Sequence, residues 1–283
     1  MDPRSTGYDS RSKVIVVANQ KGGSGKTTVA VNLAVGLAAA GMSVATMDAD
    51  VQQESLTHYM ENRAAWARLR GINLPMPAHE RFAPGGSQNA EAYVSSRIDQ
   101  LSAQHWAVVI DTPGHDDPLS RSIHAKADVL VTPLNDSFVD LDVLARLSPE
   151  TLAVVEIGKY AKMVQELRED RRSSGQPDIN WVVVRNRLSV PNTHNKRNVG
   201  QALANLSGLL QFRCGDGLAE RLVFREFFSK GLTAMDDLSE RALGVRPTMS
   251  HATAQLEVQD LLQRILRPEI SDGGLAEGAR TAA

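Results

Sequence analysis

Cysteine is almost missing from this chain: the 283 residues contain one, Cys214. No intrachain disulfide can form, so the sequence is expected to fold around a packed core in a reducing compartment. Long hydrophobic runs are missing as well. The most apolar window, 33–47, is broken by Gly36, Gly41 and Ser43 and falls short of the roughly 20 residues a membrane-crossing helix needs. Residues 1–12 lack the apolar centre of a secretory signal and read as a flexible leader, which makes a cytoplasmic location the expectation. Net charge is scarce too. A formal charge of −2 excludes a protein that coats nucleic acid with its whole surface, but it leaves room for a local basic patch. His58 and His79 stand without metal-ligand spacing around them and are expected to be surface or packing residues. With 42% hydrophobic and 23% charged residues, the remainder is ordinary globular material, long enough for one large α/β domain.

What the sequence does contain is concentrated in residues 13–28, KVIVVANQKGGSGKTT. Lys13 to Val17 is a short, continuous, β-branched run, which suits a strand covered on both faces. Gly22, Gly23 and Gly25 follow at once. Without Cβ atoms they let successive backbone N–H groups curl around an anion, and a helix starting near Lys26 points its positive end at the same place. Ser24 and Thr28 belong to the same cradle. Lys26 is placed to reach the β- and γ-phosphates of a bound nucleotide, and the Thr27 hydroxyl suits Mg2+. The common form of this motif opens with a glycine. Here Gln20 takes that place, and Lys21 adds a second lysine.

The downstream order fits the same site. Val29, Leu33 and Leu37 recur at helical spacing, with Gly41 placed to cap. A strand over 43–47 runs into Asp48-Ala49-Asp50, two carboxylates at the strand end where open parallel sheets bind ligands. Residues 52–70 predict a half-buried helix, and the proline- and glycine-rich stretch 75–87 a surface connection. A buried strand over 106–110 ends in Asp111-Thr112-Pro113-Gly114, the pattern of a Walker B aspartate that holds Mg2+ directly or through water, followed by a loop sensing the γ-phosphate. Asp117-Pro118 offers a helix cap and first position. Further strands are expected over 128–133 and 180–184, and further helices from Ser148-Pro149, over 159–172 and over 252–266. From Arg185 to Lys230, eight Lys or Arg face three acidic residues, a net +5 that the rest of the chain must offset with −7. Arg221 and Arg225 lie one helical turn apart. With Lys196, Arg197, Arg213 and Lys230 they form a candidate DNA-binding set that would contact phosphates and read no bases. The domain is expected to end near residue 267, with a disordered tail over 268–283.

The loop K-G-G-x-G-K-T-T resembles the deviant Walker A loop of the ParA/MinD group of ATPases. Between the loops, MENRAAW, ADVLVTPLNDSFVDLDVL, WVVVRNRL and GLAERLVFREFF resemble the MipZ family of that group, from Lys13 to about Leu266. The resemblance implies a SIMIBI-type P-loop NTPase: an α/β fold with a mostly parallel, twisted sheet of the eight-strand class, flanked by helices on both faces. It implies that Lys21 crosses a dimer interface to the partner copy's nucleotide, that Asp50 orients the attacking water, that Asp48 lies in the outer shell of Mg2+, and that Asn186 reads the adenine edge. It further implies a slow Mg-dependent ATPase that alternates between a monomer and an ATP-bound homodimer. The dimer would bind DNA nonspecifically, meet a ParB-like partition protein, and inhibit FtsZ assembly, in the nucleoid and chromosome-origin region and without a membrane. A ParA-type chromosome or plasmid partition ATPase is the alternative, and a metabolic ligase related to dethiobiotin synthetase a more distant one. Nitrogenase-type iron proteins share the loop but need two cysteines per chain, which excludes them. The last helix, with Gln259, Asp260 and Gln263 on its polar face, departs from the basic membrane-binding helix that ends MinD-like proteins.

Overall fold

The computed structural model describes residues 12–83, 89–188 and 194–266, without the side chains of 194–197. The proposed leader, apart from Ser12, and the tail from 267 onward lie outside the described residues, as do the side chains of Lys196 and Arg197.

Apolar β-branched runs separated by amphipathic segments build a repeated strand-helix unit. In chain order the first half comprises β1 (Lys13–Val17), α1 (Lys26–Ala39), β2 (Val44–Asp48), α2 (Ser55–Arg70), β3 (Ala78–Arg81), α3 (Ala90–Gln104), β4 (Ala107–Asp111), α4 (Pro118–Ala125) and β5 (Val129–Asn135). Then come α5 (Phe138–Leu141), β6 (Ala145–Leu147), β7 (Val154–Ile157), α6 (Lys159–Ser173), β8 (Asn180–Asn186), α7 (His194–Leu210), β9 (Arg213–Asp216), α8 (Leu222–Lys230), α9 (Glu240–Leu243) and α10 (Met249–Leu266). Seven strands form one sheet in the order β3-β2-β4-β1-β5-β8-β9, and every pairing in it is parallel.

Parallel strands bury both faces, and alternate side chains serve the two sides. Val14 and Val16 join a core completed by α3, α4, α6 and α7. Ile15 and Val17 join the opposite core with α1, α8 and α10. A smaller cluster, Val31, Val35, Leu56, Tyr59 and Met60, fastens α1 to α2. Because successive strands lie on both sides of β1, the chain reverses direction there, and the carboxyl ends of the central strands open onto one crevice.

Several expectations change. The sheet has seven strands among the described residues rather than eight. Ser148-Pro149 starts no helix: β6 and β7 form an antiparallel hairpin, closed by the Ser148 amide donating to the Ala153 carbonyl at 2.8 Å. The surface connection at 75–87 contains the edge strand β3, paired with β2 through Thr46 and His79. Helices α3, α5, α7 and α9 and strand β9 fall where the sequence predicts no element, and α8 contains Arg225 while Arg221 sits at its extended N-cap.

One buried ion pair ties the last third of the chain to α2. The Arg63 guanidinium donates to both oxygens of Asp236, at 2.7 and 2.6 Å, and to the carbonyls of Gly231 and Pro75, with both side chains fully buried. Gly231 adopts φ 61, and a Cβ there would lie 2.0 Å from the Arg63 nitrogen, so only glycine fits the approach. Removing one partner strands the other charge in the core. Asp236→Ala is expected to cost about 3–5 kcal/mol in urea unfolding. A loss below 1 kcal/mol would show that water reaches Arg63.

Candidate functional site

The crevice is built by registry. Asp48, at the end of β2, stands level with Asp111 at the end of β4, and Asp111 is level in turn with Val17 at the end of β1. The loops that follow are stitched together, with the Ala49 amide donating to the Asp111 carbonyl at 2.9 Å and the Thr112 amide to the Val17 carbonyl at 3.3 Å. The resulting cleft of about 520 Å³ is lined by Gly22, Gly23, Gly25, Lys26, Thr27, Thr28, Asp50 and Asp111, and also by His115, Arg187 and Phe224.

Helix α1 opens into this cleft without a side-chain cap. Its first amides are therefore left for a ligand, and the positive end of the helix favours an anion. Gly25 adopts φ 87, and a Cβ on it would come within 2.2 Å of the Asn186 amide nitrogen. Ser24 is buried, its hydroxyl donating to the Lys21 carbonyl. The Lys26 ammonium donates to the Lys21 carbonyl at 3.3 Å and faces Gly114 of the loop after β4. Burial lowers its pKa, against the pull of Asp111 and Asp50, so the cradle holds a strained cation in need of a negative partner.

Asp111 supplies the counterpart. Its Oδ2 accepts the Thr27 hydroxyl at 2.6 Å, whereas its Oδ1 is buried with no hydrogen-bond partner. Burial drives its pKa up to about 7; the Thr27 hydroxyl opposes this, and the nearby Asp48 and Asp50 reinforce it. A hydroxyl and an orphaned carboxylate oxygen side by side are hard donors that fit Mg2+, an ion that takes one or two protein oxygens and fills its shell with phosphate and water. Among the described residues no group of three or more His, Cys, Asp or Glu is poised to hold a metal alone, which is consistent with that sparse donor set. Thr27 and Asp111 are the groups that would hold the ion, and it would neutralise charge on the phosphates.

Asp48 is turned differently. Its Oδ2 accepts the Thr57 amide and hydroxyl at 2.8 and 2.9 Å, and its Oδ1 accepts the Asp50 amide at 3.1 Å. Asp50 faces the cleft, with one oxygen accepting the amides of Gln52 and Gln53. Asn186 is buried between two loops, donating to the Ser24 carbonyl at 2.8 Å and accepting from the Leu218 amide at 3.2 Å. It shapes the rim of a smaller adjoining cleft whose walls include Arg221 and Arg225. Lys21 leaves the cradle: its ammonium lies 3.1 Å from Asp140 and donates to the Val139 carbonyl on α5.

The basic candidates do not share one free face. Arg221 occupies the N-cap position of α8 without a capping side-chain bond and pairs with Glu257 of α10 at 2.6 Å. Arg213 donates to Asn180 and to the Arg264 carbonyl at the far end of α10, and Lys230 donates to the Leu243 carbonyl above the Trp66 ring. Arg225 pairs with Glu220 but stays 71% exposed. Asp140 and Glu257 escape a sequence reading because each becomes a partner only through the fold.

A glycine cradle at a helix start, a lysine within it, and a strand-end aspartate bonded to Thr27, the residue after that lysine, define a P-loop nucleoside triphosphatase of the deviant Walker A kind. The family model for ATPase MipZ matches residues 13–268, and the chain belongs to the MipZ family of ATPases. It is 26% identical over 176 residues to the chromosome partitioning protein ParA of Myxococcus xanthus, covering 54% of this chain and 62% of that protein. It is 40% identical over 72 residues to the iron-sulfur cluster carrier protein of Mycobacterium leprae, covering 25% and 19%. Both matches span less than two thirds of the relative's length. The fold is similar to that of the Cyanothece McdA–ATP complex, with a TM-score of 0.55 at 18% identity, over 91% of this chain and 97% of that one. No described helix is long and apolar enough to cross a membrane.

The state of Asp111 sets a pH dependence. In the folded chain its carboxyl keeps a proton up to about pH 7, whereas the ordinary value is 3.8. The folded state thus binds the extra proton between these values, and the contribution of this carboxyl to the stability of the ligand-free protein falls as pH rises from 4 to 7. Asp111→Asn should remove that slope. Without Mg2+ or nucleotide, the variant is expected to unfold at higher urea than the wild type at pH 8 and at the same urea at pH 4. Coincident midpoints at pH 8 would contradict a strained carboxylate.

Proposed function

We propose that the chain is an ATP-driven dimerisation switch that positions the division site. The observation that carries this reading is the parting of the two loop lysines. Lys26 stays in the cradle beside Asp111 and Asp50, while Lys21 is turned outward onto Asp140 and does not line the cleft. A loop lysine with no use on its own nucleotide suits service in trans, to the nucleotide of a second copy. In this reading Lys26, Thr27 and the glycine amides hold ATP and Mg2+, Asp50 orients the attacking water, and slow hydrolysis returns the dimer to monomers. The dimer binds DNA nonspecifically, meets a ParB-like partner near the chromosome origin, and inhibits FtsZ assembly. The similarity to M. xanthus ParA supports a second reading, a ParA-type partition ATPase. FtsZ sedimentation separates the two: inhibition by the ATP-bound dimer favours division control, and its absence beside ParB-stimulated hydrolysis favours partition.

Light scattering with ATP tests the switch itself. Lys21→Ala is expected to bind ATP and remain monomeric, and Asp50→Ala to bind ATP, fail to hydrolyse it and accumulate as dimer. A Lys21→Ala dimer would remove the service in trans.

Of the basic candidates with described side chains, Arg225 is the most open to a phosphate, and dimerisation presents it twice. Each phosphate neutralised contributes roughly 0.9 to the slope of log affinity against log salt. Arg225→Ala is therefore expected to flatten that slope by about 1.8 in the ATP dimer while leaving dimerisation intact. An unaltered slope would move the contact elsewhere.

A further inference from the structure

His79 sits on the edge strand β3, directly opposite Thr46 of β2. It is half-buried, and both its ring nitrogens are engaged: Nδ1 lies 2.9 Å from the Thr46 hydroxyl and Nε2 3.1 Å from the Thr57 hydroxyl. The proton inventory settles the direction of these bonds. The single Thr57 hydroxyl proton goes to Asp48 Oδ2 at 2.9 Å, because that oxygen is an acceptor. Nε2 must then donate to Thr57. Burial lowers the pKa of His79 in spite of Asp48 on β2, Glu61 on α2 and Glu80 on β3, so at neutral pH the imidazole is neutral with its proton on Nε2. Nδ1 is left to accept from Thr46, whose alternative acceptor, the Ala78 carbonyl, lies farther off at 3.3 Å.

A one-way chain results: His79 donates to Thr57, and Thr57 donates to Asp48. Bonds aligned in this manner polarise one another and hold their members in place. Asp48 is the shared acceptor at which this chain meets the cleft: its Oδ1 accepts the Asp50 amide and thereby sets the peptide plane from which the Asp50 side chain leaves.

We propose that His79 is a positioning residue for hydrolysis, fixing Asp50 through Thr57 and Asp48 from outside the nucleotide cleft. The inference rests on the proposed role of Asp50 in orienting water. Displacing a catalytic group by about 1 Å costs on the order of a hundredfold in rate. Loosening the turn while leaving Lys26 and Thr27 undisturbed should therefore lower kcat and spare ATP binding.

The test uses the full chain and steady-state ATPase kinetics. His79→Leu is expected to lower kcat about tenfold with KM for ATP within about twofold of wild type. His79→Gln, whose amide can donate to Thr57 in place of Nε2, is expected to recover kcat to within about threefold. Thr57→Val keeps the backbone amide on Asp48 but breaks the chain, and combined with His79→Leu it should lose no more than the worse single variant. Wild-type kcat in His79→Leu overturns the proposal, as does a His79→Gln no better than His79→Leu, or additive losses in the double variant. If His79→Leu does not fold, the kcat of His79→Gln against Thr57→Val decides: a Thr57→Val that matches wild type ends the relay. Normal hydrolysis by Asp50→Ala would remove the reading of Asp50 itself, whereas normal hydrolysis by His79→Leu beside an inactive Asp50→Ala removes the relay alone.

Discussion

The hydrogen bond between Thr27 and Asp111 is where the sheet and its first helix are joined, and the rest of the site depends on it. It fixes the opening turn of α1 against the end of β4, at the level where β1, β4 and β2 finish in register. Helix dipole, glycine amides, Lys26 and three aspartates therefore converge on one small volume. Without a ligand that convergence is unfavourable, because a buried carboxyl is held near pH 7 with one oxygen unpaired and a buried ammonium is held below its ordinary range. A cation with a polyphosphate would relieve both at once. Any such ligand binds the folded state alone, so occupancy and stability are linked by mass action. The local violation of ordinary burial rules is what singles this place out as the candidate site.

The same physics explains what could be read in the sequence. The P-loop, the strand-end aspartates and the Asp117-Pro118 helix start are specified by residues a few positions apart, and Asp117 does accept the Ser120 amide. The hairpin β6–β7 was not legible, since Ser148-Pro149 carries helix-start chemistry. Its fold is set instead by pairing across the turn, with Leu152 in a left-handed conformation at φ 57. Strand β3, Ala-His-Glu-Arg, has no apolar alternation because an edge strand is covered less. His79 looked isolated for the same reason: its partners Thr46 and Thr57 come from other elements.

Charge shows the limit of linear reading most clearly. The stretch 185–230 is basic as a string, but Arg185 is matched by Asp136, Arg221 by Glu257 and Arg225 by Glu220. Two of these carboxylates, Asp136 and Glu257, lie outside the stretch, so folding brings acidic partners to it that the string alone does not contain. Segment charge is therefore not a field. What remains for a phosphate is exposure rather than count, and by that measure Arg225 differs from its neighbours.

The positions of Arg221 and Arg225 also bear on how a nucleotide could be felt at a distance. Asn186 bridges the Ser24 carbonyl to the Leu218 amide. Asn32 of α1 accepts the Ala234 amide, and Tyr59 and Arg63 of α2 donate to the carbonyls of Leu232 and Gly231. The segment before α8 is thus tied through Asn186 of β8 to the loop that opens α1, and the segment after it is pinned by buried side chains to α1 and α2. These bonds have no water to replace them, so breaking one leaves a buried group unpaired at a cost of about 1–3 kcal/mol. Shifting α8 against α1 or α2 would therefore mean breaking at least one of them. Arg221, at the N-cap of α8, and Arg225 within it line the same smaller cleft as Gly25 and Thr28, so these two arginines adjoin the glycine loop rather than form a separate surface.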